Sequence, residues 1–277
     1  MNLVSSAFLV ALSTGLAVGG LLLIRRRAPH GGHFGDTSRA AGVFSILATS
    51  FAVLFAFVVF FAFGSYDKSS SSAETEAQVT TQQFETAQVL PDAAGPTLDA
   101  QLRCYARSVV SQEWPAMNRG EVLGLNQWDT DLFVTLKGVN PVTPAEQTAY
   151  AKWFDQRAQR EQARDERSLG EDGVIPSPLW FVLLLSAGIV WAFVFLFADR
   201  GEGAFVQSVL VGAVTAMLVS GLLLVSFLDY PYNPGAGTLK PTAMEQALNH
   251  MDELTETLHL DLPDLCDAEG RPHPSTR

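Results

Sequence analysis

Reactive residue types are sparse in this chain, so the first question is whether any stand at spacings that do chemistry. The stretch HGGHFGD sets His30, His33 and Asp36 within seven residues, a donor set a divalent metal could use. Two imidazoles in a glycine-rich segment lack a third strong ligand and a rigid scaffold. A flexible turn accounts for them better, and no metal or other cofactor is expected. The run DQRAQREQARDER interleaves Arg157, Arg160, Arg164 and Arg167 with acids. Such a row could clamp an anionic ligand, but alternating signs on a helix read more simply as a solvated, internally paired face. His250 and His259 lie on or near an amphipathic stretch and read as surface. A phosphate-cradling glycine loop, a nucleophile elbow and a paired-cysteine zinc motif are all missing from the sequence. It offers no catalytic constellation, and an enzyme is not expected.

The elements that must position these residues are mostly apolar. Of 277 residues, 48% are hydrophobic and 17% charged, against about 25% charged in ordinary soluble domains. Four blocks exceed the roughly 18 residues a membrane-spanning helix needs: Leu3–Ile24, Ala41–Gly64, Leu179–Ala198 and Ala204–Leu228. None holds Asp, Glu, Lys, Arg or His. The first is a retained anchor rather than a signal peptide. No basic residue precedes its apolar core, IRRR follows it, and its length exceeds a signal core. Without ionisable residues inside the spans there is no marked proton or ion pathway. The second span is instead dense in phenylalanine, including Phe57, Phe60 and Phe61. These rings could form a pore constriction that gates by dewetting. They could equally face lipid or neighbouring helices while Ala48, Ala52 and Ala56 make a small-residue packing stripe. Gly15/Gly19 and Gly212/Ala216/Ser220 read as similar seams.

Four segments follow: 1–64 with spans one and two and a short basic loop at 25–40, an extramembrane insert at 65–176, spans three and four at 177–228, and a tail at 229–277. The insert reads as helical throughout. A serine run at 69–72 separates span two from a helix carrying Ala77, Thr81, Phe84 and Ala87. Leu98, Leu102, Tyr105 and Val109 form an apolar stripe on the next. A third begins at Glu121 with Val122, Leu125, Leu132 and Leu136. The fourth opens on a capping box, Thr143 with Glu146, and Pro144 in the first turn. In the tail, Thr242 and Glu245 repeat that device before a helix with Met244, Leu248, Met251, Leu254 and Leu258 on its apolar face, which must rest on the insert. Beyond Pro263 the end reads as disordered. The fold class is an all-α integral membrane protein with four transmembrane helices, a helical insert between helices two and three, and a C-terminal amphipathic helix.

Charge is distributed unevenly: +3 in 25–40, −7 in 65–176, −1 in 199–202 and −6 from Asp229 onward, making up the net −11. Basic residues beside the first span stay cytoplasmic, which sends the insert and both termini outward. The arginines near span three oppose this, and by charge alone the two orientations nearly tie. The only cysteines, Cys104 and Cys266, both fall in the outward segments, where they are free to pair in an oxidising compartment. Each could also be an unpaired small residue. At the end of span four, FLDYPYNPGAG places Asp229 where Pro231 and Pro234 forbid the helix to continue. An acid there opposes the helix dipole, so Asp229 either takes a partner such as a tryptophan N–H or an arginine, or is a solvated interfacial residue of the turn.

The order of these pieces resembles the bestrophin-like family of bacterial membrane proteins. Two spans precede an insert with EAQVTTQQF and LRCYARSVVSQEWPAM; an arginine-rich helix, two more spans and FLDYPYNPGAG follow. Tyr105, Val109-Val110 and Glu113-Trp114 match the family's insert motif; Leu228, Asp229, Pro231 and Tyr232 match its closing motif, with the glycine delayed to Gly235. The resemblance covers roughly residues 40–250. It implies a homo-oligomer in the lipid bilayer of the bacterial cytoplasmic membrane, conducting ions with span two nearest the axis. It implies no nucleic-acid partner. Bestrophins hold their insert and termini in the cytosol, opposite to the face that charge and cysteine favour here. A non-conducting scaffold or accessory subunit of a larger membrane complex is the other reading, binding a partner through the acidic outer helices.

Overall fold

The structure is a computed structural model that describes residues 3–29, 33–91, 94–121, 123–169 and 173–273. His30 and Val122 lie outside the described residues. The chain divides into two compact units: residues 1–65, 173–230 and 234–237 in one, and 66–172, 231–233 and 238–277 in the other. Among the described residues all regular structure is helical, apart from one isolated bridge between Cys266 and Pro272.

Helices α1 (Leu3–Arg25) and α2 (Thr37–Ala87) come first. At 51 residues α2 is about 76 Å long at 1.5 Å per residue, more than twice the hydrocarbon thickness. The span and the first helix of the insert are one helix, continuous through the serine run. No proline interrupts the stretch, and its hydroxyls fold back onto the helix's own carbonyls: Ser71 to Lys68 (3.0 Å), Thr75 to Ser71 (2.8 Å), Thr80 to Glu76 (2.7 Å) and Thr86 to Gln82 (2.8 Å). That satisfies the side chains without taking the backbone out of the helix.

In the membrane unit, α7 (Ser177–Leu196) and α8 (Ala204–Asp229) join α1 and the apolar part of α2. Gly212 of α8 lets α1 approach: an added Cβ would stand 3.4 Å from Thr14 and 3.6 Å from Val18. Ala17, Leu21, Ala198 and Val211 are buried beside that seam. At Gly221 a Cβ would come within 2.7 Å of the Phe55 ring, so α2 also meets α8 at a glycine. Trp191 donates to Thr215 (3.0 Å), tying α7 to α8.

The second unit contains α3 (Gly95–Ser108), a π-helical turn (Val109–Glu113), α4 (Trp114–Asn118), α5 (Gln127–Lys137), α6 (Pro144–Ser168) and α9 (Thr242–Thr257). Phe84, Leu98, Leu102, Tyr105, Leu132, Leu136, Trp153 and Met251 are fully buried in its core. Trp153 Nε1 donates to the Gln83 carbonyl (3.2 Å), and Gln83 Nε2 donates back to the Trp153 carbonyl (3.5 Å), locking α6 to α2. The capping box of Thr143 and Glu146 is present at α6.

Three local expectations need correction. Helix α5 begins at Gln127, not Glu121, because Asn126 Oδ1 caps Trp128 N (3.0 Å), leaving Leu125 outside and exposed. Helix α9 starts after Pro241 with no side-chain cap, since Thr242 already lies inside it. The end beyond Pro263 is ordered through His273. Cys104 and Cys266 are disulfide-bonded with Cα atoms 5.9 Å apart, Trp128 Nε1 donates to the Gly270 carbonyl (2.7 Å), and Gln112 Nε2 to the Glu269 carbonyl (2.8 Å). Gly270 has φ +73°, and a Cβ there would stand 2.4 Å from Ser108 N. The low apolar content that suggested disorder is offset by a covalent tie and close backbone contact.

Candidate functional site

The apolar part of α2 has two faces. Phe44, Phe51, Phe55, Val58 and Ala62 turn toward its own bundle, while Ile46, Ser50, Val53, Phe57, Phe60 and Phe61 turn away. Phe57, Phe60 and Phe61 are 70%, 78% and 58% exposed. Residues 57, 60, 61 and 64 follow the three-and-four spacing of one helix face, so the three rings form an aromatic patch that Gly64 closes at one end and Val53, Ser50 and Ile46 continue at the other.

Asp229, buried at the C-terminal end of α8, accepts from three donors: Val174 N (2.7 Å), Ile175 N (2.7 Å) and Trp180 Nε1 (2.8 Å). These offset the unfavourable dipole and make the carboxylate a clasp between the end of α8 and the start of α7. Leu228 is buried beside it, and Tyr230 covers Gly173, whose φ of +85° suits glycine.

In the second unit the insert motif gathers around one guanidinium. Arg167 is fully buried, and its Nη2 donates to Glu76 Oε1 (3.1 Å) and to Glu113 Oε2 (2.7 Å), while Nε donates to Glu76 Oε2. Tyr105 Oη donates to Glu76 Oε1 (2.6 Å). The guanidinium lies over the Trp114 ring, 5.2 Å from its centre. Glu113 Oε1 also accepts from Arg164 Nη2 (2.9 Å) and Asn126 Nδ2 (2.9 Å). Arg160 pairs with Asp129 and stacks 4.5 Å over the Tyr105 ring. Past Pro231, Tyr232 Oη donates to the Arg167 carbonyl (2.7 Å), its ring meets Trp114 edge-on, and Trp114 Nε1 donates to the Leu239 carbonyl (3.1 Å).

The π turn places Glu113 and Trp114. Pro115 has no N–H and cannot continue an α-helical ladder; the chain answers with Trp114 N bonded five residues back, to the Val109 carbonyl. Such bulges recur at functional sites.

Burial would raise the Glu113 carboxyl, but Arg167 and Arg164 outweigh it and hold the group below its ordinary value. Burial, with the Glu76 charge added, pushes the Tyr105 phenol well up, so it stays a donor. Burial opposes the Arg167 charge, yet Glu76 and Glu113 more than restore it. Arg167 thus bridges Glu76 and Glu113, tying α2, the π turn and α6 together.

The solvated-face reading of the arginine run is therefore wrong. Arg160 and Arg167 are buried, and their partners come from α2, α5 and the π turn rather than from α6 itself. Sequence reasoning missed Glu76, Arg160, Arg164 and Arg167. The available signal was spacing: residues 153, 157, 160, 164 and 167 repeat at four and three, so the arginines share a face with Trp153. His33 and Asp36 are exposed.

A family model, the bestrophin-like domain, matches residues 11–244. The chain belongs to the bestrophin-like family. Solved structures agree in fold. A bacterial bestrophin homologue from Klebsiella pneumoniae, phased by Zn-SAD, shares 12% identity at TM-score 0.67, covering 92% of this chain and 99% of that one. A point mutant of a Klebsiella pneumoniae homologue aligns at TM-score 0.66 and 12% identity, over 91% and 98%. A further variant, described as a membrane protein, aligns at TM-score 0.67 and 12% identity, over 95% and 100%. Among curated proteins, none matches the chain. In this bestrophin-like protein Tyr105, Glu113 and Trp114 lie at the Arg167 cluster, and Asp229 at the α7–α8 clasp.

Proposed function

We propose that this bestrophin-like chain assembles as a homo-oligomeric, ion-conducting complex in a bacterial cytoplasmic membrane, with α2 nearest the axis and Phe57, Phe60 and Phe61 as its constriction. The observation that carries the reading is the outward aromatic face of α2, three rings turned away from their own bundle. Family membership supports it, since bestrophins are channels rather than enzymes. Packed around an axis, such rings exclude water from a narrow pore, and conduction requires that they move apart. The insert and both termini face the extracytoplasmic side. The Cys104–Cys266 disulfide supports this orientation, because such bonds persist in oxidising compartments.

The test is ion leak through proteoliposomes. The double variant Phe57→Ala/Phe61→Ala should conduct more than wild type, because two rings of the gate are gone. Equally tight wild-type and variant vesicles, with a monomer in detergent, would remove the channel reading. They would leave a scaffold that binds another membrane protein through its acidic outer helices.

A further inference from the structure

The membrane unit holds a cavity of about 480 Å³. The end of α1, the first turns of α2 and α8, and the end of α7 surround it. Its body is apolar: Phe34, Phe44 and Phe197 line it among aliphatic side chains, with the Phe34 and Phe44 ring centres 5.2 and 5.8 Å from that of Phe197. The ionisable residues in its lining are both carboxylates, Asp199 and Glu202. Asp199 Oδ1 accepts from Gly201 N (2.7 Å) and so braces the turn. Glu202 accepts from Gln207 Nε2 (3.2 Å).

Gln207 stands at one wall of the cavity. The residue is 95% buried at the cavity wall, and while its amide nitrogen serves Glu202, its carbonyl oxygen Oε1 is buried without a donor. An amide oxygen withdrawn from water and left unpaired is costly, and a ligand that brings an N–H relieves it. Arg25 turns its Nη2 to the main-chain carbonyls of Arg200 and Glu202, and its Nη1 is buried without an acceptor.

We propose that this cavity binds an amphiphilic primary ammonium, its apolar body among the phenylalanine rings and its N–H groups on Gln207 Oε1 and the Glu202 carboxylate. Aromatic walls with a carboxylate favour a cation. The lone acceptor favours an ammonium that retains N–H over a quaternary one. The volume lies within the roughly 300–1,000 Å³ usual for small-molecule sites. Either a soluble amphiphilic amine or the head group of an aminophospholipid offers this chemistry.

The probe is dansylcadaverine, a fluorescent amphiphilic primary amine, titrated onto the full chain in phosphatidylcholine nanodiscs with empty discs subtracted. Dansylglycine, with the same rings and a carboxylate, is the control. Saturable, blue-shifted binding of the amine alone is expected, at least tenfold weaker in Gln207→Leu and in Glu202→Gln. Gln207→Leu removes the unpaired oxygen and Glu202 is exposed, so a thermal unfolding midpoint matching wild type keeps both variants interpretable. Equal binding by wild type and both variants, or by amine and acid probes alike, would overturn the assignment and leave an apolar crevice filled by acyl chains. Phosphatidylethanolamine added to the discs then names the source: competition assigns the site to lipid head groups, and its absence to soluble amines.

Discussion

Replacing Arg167 by methionine removes the buried charge on which Glu76 and Glu113 both depend. The guanidinium has no exposure, and its lost contacts are three hydrogen bonds to two carboxylates, one to Met117 Sδ (3.3 Å) and the face of Trp114. Glu76 would keep the Tyr105 hydroxyl, and Glu113 would keep Arg164 and Asn126. One surplus negative charge would then stand in a site closed to water. Breaking a buried pair from one side costs about 3–5 kcal/mol. At about 2–4 °C per kcal/mol for a domain of this size, that lowers the melting temperature by roughly 6–20 °C. The measurement is tryptophan-monitored thermal unfolding of the full chain in detergent at pH 8. Two companion measurements separate charge from packing. Adding Glu76→Gln should recover most of the loss, because Glu113 then faces Arg164 alone and no uncompensated charge remains. Lowering the pH to 5 should also shrink the gap from wild type, since a carboxylate left unpaired by burial takes up a proton at higher pH than an ordinary one. A melting temperature within 2 °C of wild type, or a loss untouched by both companions, would refute the electrostatic account.

Asp99 predicts the same pH trend in the wild-type protein. Burial, opposed by the Gln88 hydrogen bond and the Arg103 charge, raises its carboxyl to about 8. The native state therefore holds a proton that the unfolded chain releases near pH 4. Stability should fall as pH rises through that window, by up to about 1.4 kcal/mol per unit, and Asp99→Asn should flatten the fall in denaturant titrations between pH 5 and 8. Glu113 acts at the acid end: held below its ordinary value by Arg167 and Arg164 against burial, it contributes stability above that value, lost as pH drops through it. Single-cysteine variants at Ser71 and Gly35, both exposed, report orientation. An impermeant maleimide on intact cells should label residue 71 and spare residue 35, and the reverse pattern would sink the outward assignment.

The spans were legible because a membrane demands length and apolarity, which single residues state openly. Thr143 with Glu146 was legible because a capping box is local. The continuity of α2 was not, since serine and threonine weaken a helix on average and only their return bonds to carbonyls show that these do not. The Arg167 cluster was hidden for a different reason. Whether Arg160 and Arg167 face water depends on Glu76, Asp129 and Glu113, which stand far off in sequence and on other elements. The three-and-four spacing of the arginines was visible, but a row of charges invites the solvated reading until its partners are known. The order near Cys266 was obscured in the same way, because its stability comes from Cys104 and the Ser108 backbone more than 150 residues earlier.

The π turn between Val109 and Glu113 makes chain length here as consequential as residue identity. A loop absorbs an insertion or deletion by changing its path, whereas this segment sits within helical structure running from Gly95 to Asn118. Deleting one residue would close the ladder into regular α-helix, and everything before the cut would rotate by about 100° against everything after it. Cys104 and Tyr105 would swing away from Cys266 and Glu76, while Glu113 and Trp114 stayed in place. No substitution at a single position could undo that rotation. Evolutionary change in this stretch is therefore confined to exchanges of side chain at constant count, and a descendant that lost the extra residue would have to rebuild both the disulfide and the arginine cluster together.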